Sequence, residues 1–159
     1  MTSGFEWTVE GFDDVIAKFA EGDELATRLL SGAMTQSVAL VGNNAAGYPP
    51  ESSANAPPPP YYQRGVGTIY ADGSTRGESQ QMNTKWNREV AISDDEIVGT
   101  VENTATYAPF VHGMVRQIPI HQSRDWRKVD KIALDTRDGV LQFFQIAAGQ
   151  WASMMTRGK

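Results

Sequence analysis

The stretch that most narrows the choice of fold is "KWNREVAISDDEIVGTVEN", residues 85–103. Trp86, Arg88, Val90 and Ile92 fall on one face of a period-two run, and Ile97, Gly99, Val101 and Asn103 on one face of a second. "SDDE" between them supplies turn residues. The pattern predicts an antiparallel hairpin with Trp86, Val90, Ile92, Ile97 and Val101 on its core side.

The predicted cover for that face is mostly helical. "GFDDVIAKFAEG" places Phe12, Val15, Ile16 and Phe19 at helical spacing between two glycines, with Asp13 and Asp14 near the positive end of the helix dipole. From Asp23 to Ala46 a longer helix is predicted, with Ala26, Leu29, Leu30, Ala33, Met34, Ser37, Val38 and Val41 along one stripe. Its small residues, Ala33 and Ser37, would let another backbone approach closely. Toward the other end, Val129, Ile132, Ala133, Thr136, Val140, Phe143, Phe144, Ala147 and Trp151 recur at spacings of three and four. That predicts a helix over 126–155, about 40 Å long if unbroken, with a bend or break expected at Gly139 or Gly149. "FEWTVE", residues 5–10, alternates as a short first strand, and "MVRQIPIHQ" is expected to return as a short strand, at an edge because of Pro119. No internal repeat is present. The expected fold is therefore α+β, a single domain over 1–159 in which a small antiparallel sheet is packed by N-terminal helices and a long C-terminal helix. With 159 residues, 40% of them hydrophobic, roughly two thirds of the unfolded surface would be buried.

Between the first two helices and the hairpin the chain changes character. "GYPPESSANAPPPPYYQRG", residues 47–65, carries six prolines and no periodicity, and Pro57 to Pro60 favour polyproline II. So long an irregular stretch in a compact domain belongs to arms, lids or disordered linkers. Residues 47–66 are read here as an extended arm or loop in which Tyr61, Tyr62 and Arg64 are partner-contact candidates, with a linker as the alternative. The following "GVGTIYADGSTRGESQQMNTK" continues as loop around a hairpin turning at Asp72 and Gly73.

Composition excludes several chemistries. Without cysteine there is neither a disulfide framework nor a thiolate metal site, which fits folding in a reducing cytoplasm. A net charge of −5 argues against a large phosphate-neutralising surface, and a toxin-like RNA-binding module is disfavoured on the same ground. The first residues lack a basic-then-apolar leader and no run is long enough to span a bilayer, so neither secretion by a standard signal nor a membrane partner is expected. His112 and His121 are the only histidines, nine apart, with no ligand spacing around them. Ser93, Ser123 and Asp125 lie near them, yet no nucleophile turn or oxyanion-hole pattern accompanies them. Asp13 with Asp14 and Asp94 with Asp95 read as solvated turn or first-turn carboxylates. "RGVGTIYADG" lacks the Gly-Lys-Ser/Thr ending of a phosphate cradle. No catalytic residue, cofactor or metal is expected. In "YAPFVHG", residues 107–113, Tyr107, Phe110 and Val111 are expected to pack the end of the hairpin, Pro109 and Gly113 to set a bend, and His112 to be a bystander or an interface residue alongside Phe110.

The order "PPPPYYQRGVG", "KW" opening a strand, "IVGTVENTATYAPFVHG", "RQ", "IHQ", and "DW" before a terminal helix resembles the tail-completion, or head-to-tail joining, proteins of long-tailed double-stranded DNA bacteriophages. Val98, Gly99, Asn103, Tyr107, Ala108, Val111 and Gly113 stand where that family has its strand and Tyr-Ala-x-x-Val pattern. His112 departs from it, standing where members often carry an acidic residue. The resemblance implies a non-catalytic ring subunit of the virion neck or tail end, made in the host bacterial cytoplasm, associating with copies of itself, six-fold, and with adjacent neck and tail proteins. DNA would touch it only in transit, and the acidic balance is compatible with a lumen that repels phosphate. A tail terminator or head-closure ring protein is the alternative within that class. A small phage-encoded hydrolase or nuclease is the alternative outside it.

Overall fold

The hairpin pairs as its alternation predicts. In the computed structural model, which describes residues 3–5, 13–21, 23–47, 49, 82–93 and 96–157, β2 (Trp86–Ile92) and β3 (Ile97–Asn103) run antiparallel. Trp86 faces Asn103, Arg88 faces Val101, Val90 faces Gly99 and Ile92 faces Ile97, so the two predicted apolar sets share one side of the sheet. The Ser93 N–H donates to the Glu96 carbonyl at 2.8 Å and closes the turn. β1 (Ser3–Phe5) pairs with the other edge of β3, giving the order β1-β3-β2. The expected alternation at residues 6–10, the 50–66 part of the arm and the Asp72–Gly73 hairpin lie outside the described residues.

Two helices precede the hairpin, α1 (Asp13–Ala20) and α2 (Glu24–Ala46). Asp23 starts α2 as its N-cap, its carboxylate accepting the Ala26 N–H at 2.7 Å, which satisfies one of the donors that a first helical turn leaves orphaned. The stripe Ala26, Leu30, Ala33, Ser37, Val38, Val41 and Ala45 is buried. α2 packs on β2 and β3 and also along α5 (Val129–Arg157), while α5 reaches the sheet at β1. Ile132, Val140, Phe144 and Ala147 of α5 join the α2 stripe and Val101 in one core. Burial of this apolar surface is the main force holding the layers together. Two hydroxyls buried in the helices cost it little: Ser37 donates to Ala33 O and Thr136 to Ile132 O, each at 2.8 Å within its own helix. The close approach of α2 to the sheet depends on Gly99, where an added Cβ would lie 2.5 Å from Met34 Sδ and 2.7 Å from Val38 Cγ2.

α5 has 29 residues and spans about 43 Å, continuing through both Gly139 and Gly149 without the expected break. Gly139 lies against Leu40 of α2, whereas a Cβ at Gly149 would meet nothing within 4 Å. Gly149→Ala is therefore expected to stabilise the protein by up to about 1 kcal/mol, the helix-propensity difference with no packing cost, seen as a higher urea midpoint at unchanged slope.

Several expectations change between the hairpin and α5. Ile92, assigned to the core side, is 54% exposed because it forms the last pair before the turn, at the sheet margin. Residues 114–122 contain no strand. A turn at 114–116 is followed by the short helix α4 (Pro119–Gln122), which comes after another, α3 (Ala108–His112). Pro119 takes the first helical position, where its missing N–H would have had no intrahelical acceptor. "DW" ends α4 instead of starting α5. Asp125 adopts a left-handed conformation (φ 59°), its N–H donates to Gln122 O at 3.1 Å, and the Trp126 N–H donates to His121 O at 3.1 Å. Those two bonds form a helix-terminating Schellman arrangement, with Asp where Gly is usual.

Candidate interaction site

A second, smaller core lies at the end of the sheet where β3 finishes. Met82, Ala105, Ala108, Val111 and Trp126 are buried there with Tyr107 against them. Asn103, 2% exposed, organises its polar side: Nδ2 donates to Met82 O at 2.8 Å and Oδ1 accepts the Ala105 N–H at 2.9 Å. The Met82 N–H donates to the Tyr107 hydroxyl at 3.2 Å. Both backbone groups of Met82 are thus held by β3 and the residues just after it.

His112 connects this small core to the main one. It is 1% exposed, and its ring lies 5.4 Å from Trp86 at 69° and 5.4 Å from Trp126 at 81°, edge-on to both. Nδ1 lies 2.7 Å from the Arg127 carbonyl, which can only accept, so the ring is the Nδ1–H tautomer and Nε2 is left without a hydrogen-bond partner among the described residues. Burial, reinforced by the charge of Arg127 and by His121, lowers its pKa to about 4, although the bond to the Arg127 carbonyl acts in the opposite direction. His121 is shifted down too, mainly by burial and then by Arg124. At neutral pH His112 is a neutral packing element. Expected as a bystander or an interface residue, His112 lies inside the chain's own core.

Arg127 extends this network to α2. Its Nη2 donates to Asn44 O at 2.5 Å, one of the carbonyls left open at the α2 C-terminus, where a cation is also favoured by the helix dipole. Asn44 stands three residues before the start of the proline-rich segment, so the chain entering that segment is fastened to elements joined through His112, Trp86 and Trp126. Tyr61, Tyr62 and Arg64 lie outside the described residues.

From this anchored base a short loop displays apolar side chains outward. Ile118 N–H donates to Phe110 O at 3.1 Å and Gln117 N–H to Gly113 O at 3.2 Å, bringing the loop's ends together. The Gln117 amide is turned inward and donates to Val111 O at 2.7 Å and to Trp126 O at 2.6 Å. The loop is pinned from within, yet Val115 is 94% exposed, Met114 57% and Phe110 45%, with Ile118 and Ile120 beside them. Phe110 was expected to pack the hairpin end; it faces solvent because Val111 and His112, its neighbours on α3, take the inward positions. A fixed apolar surface of this kind has a low ordering cost on binding. Gly113 makes the tight closure possible, since an added Cβ would lie 2.2 Å from the Pro109 carbonyl oxygen, a backbone atom that cannot swing away. Gly113→Ala is expected to cost about 2 kcal/mol and to speed amide exchange at Gln117 and Ile118.

Among the described residues, no three His, Asp or Glu side chains converge as metal ligands, and no helix is long and apolar enough to cross a membrane. Sequence reasoning missed Asn103, Gln117, Trp126 and Arg127 as organisers of the loop. A polar residue inside an otherwise apolar strand face was the available signal for Asn103; nothing in the local pattern signals the other three. Comparison with protein families, with curated proteins and with solved structures found no match.

Proposed function

We propose that the chain is a structural subunit of a tailed bacteriophage virion, one copy in a homo-oligomeric ring at the neck or tail end that completes the tail and joins it to the head. The observation that supports this most is the pinned loop 110–120. Its backbone is held by internal hydrogen bonds while its apolar side chains stand in solvent, the arrangement of a contact surface. The histidine that would be the first suspect for chemistry serves instead as packing between two tryptophans. The family resemblance in "YAPFVHG" and its flanks supplies the virion setting. In this reading the chain performs no catalytic step and binds no cofactor. Its partners are its own copies and the neighbouring neck and tail rings, it is assembled in the host cytoplasm, and DNA passes without being gripped.

The test is genetic and structural. Particles produced without this chain should accumulate as unjoined heads and tails, and electron microscopy of complete particles should locate it as a ring. Its absence from purified particles that remain infectious would end the reading, as would turnover of a substrate by the purified subunit that is lost on replacing His121.

A further inference from the structure

The two ends of the β2-β3 hairpin carry opposite chemistry. From Glu89 to Glu96 the sequence holds four acidic residues and no basic one, whereas from Asn103 to Arg124 it holds two arginines, Arg116 and Arg124, and no acidic one, in a chain whose net charge is −5; Glu102, paired with Asn87, is the one carboxylate of β3 at the far end. β3 separates these regions, since Ile97 at its start lies beside the turn and Asn103 at its end leads into α3, about 20 Å further on. At the turn end, Ile92 is 54% exposed next to exposed Glu96, and Glu89 is exposed on the same hairpin. At the far end, exposed Val115, Met114 and Ile118 surround exposed Arg116. Each end thus combines apolar surface with charge, and the charges are opposite.

We infer that the pinned loop 110–120 is the docking face for Ile92 and Glu96, at the turn end of the hairpin, in a second copy of this chain. This deepens the ring-subunit reading and rests on it. The contact joins two different patches, head to tail, and repeated contacts of that type either close into a ring or run on as a filament. Ile92 of one copy packs against Val115 and Ile118 of the next, and Glu96 meets Arg116. Charge complementarity selects this pairing over loop against loop or turn against turn, both of which bring like charges together.

The full-length chain is tested by sedimentation velocity over a range of protein and salt concentrations. Wild type should assemble, more weakly at high salt. Val115→Glu with Ile118→Glu should raise the dissociation constant about tenfold or more, with the fold retained by circular dichroism because both side chains are exposed. Arg116→Glu and Glu96→Arg should each weaken assembly, and the double variant should recover it, a rescue that general destabilisation would not produce. A wild-type chain that stays monomeric throughout overturns the contact. So does a Val115→Glu/Ile118→Glu chain that assembles as wild type, although the ring reading then survives. Binding of the loop to anionic phospholipid vesicles in place of self-association also overturns it, in favour of a lipid surface.

Discussion

Acidification from neutral pH to about 4 is expected to remove about 3 kcal/mol of stability through His112 alone. Above pH 6.5 the ring is neutral in both the folded and the unfolded chain, so it adds no pH dependence there. Below 6.5 the unfolded chain takes up a proton that the folded chain refuses until about pH 4, and every unit of pH across that window costs about 1.4 kcal/mol. The cause is geometric: two tryptophan edges and the Arg127 carbonyl surround the imidazole, and the charges nearest to it, Arg127 and His121, are of the sign that opposes protonation. His121 contributes in the same direction. Chemical denaturation at pH 7 and pH 4.5, combined with an NMR titration of the two imidazoles, measures the effect. His112→Phe should be less stable than wild type at pH 7 yet lose less on acidification. A His112 resonance titrating near 6.5 in the folded chain would remove the basis of the prediction.

Trp126→Ala is expected to have the largest effect of a single substitution in this region, about 4 kcal/mol. Trp126 is 8% exposed, belongs to the small core with Met82, Ala105, Ala108 and Val111, and closes one side of His112. Its removal leaves a cavity beside an imidazole whose Nε2 has no partner among the described residues. Water entering there would solvate the ring, so the His112 pKa should rise toward 6.5 and the acid sensitivity should shrink together with the stability. The two effects share one cavity, and Trp126→Ala combined with His112→Phe should cost less than the separate losses added together. Equilibrium unfolding of the two single variants and the double variant at pH 7 and pH 4.5 checks both statements. Full additivity with an unmoved His112 pKa would mean that Trp126 does not shield the ring.

The helices and the hairpin were legible because their signals are local. The stripe from Ala26 to Val41, the three-and-four spacing from Val129 to Trp151, and the even offset that brings Trp86, Val90, Ile97 and Val101 to one face all follow from backbone period and the gain from burying apolar surface. Residues 107–126 were not legible in this way. Whether Phe110 or His112 turned inward depended on Trp86 and Trp126 arriving on either side, and whether Asp125 ended one helix or began another depended on a left-handed turn that the main chain of most L-residues resists. Arg127 reaches across 83 residues to a carbonyl at the end of α2. Periodicity records which side of an element is apolar, and so it carried the architecture. The placement of His112 inside the core, and of an expected core phenylalanine at the surface, came from contacts between distant segments, which exist only once the chain is packed.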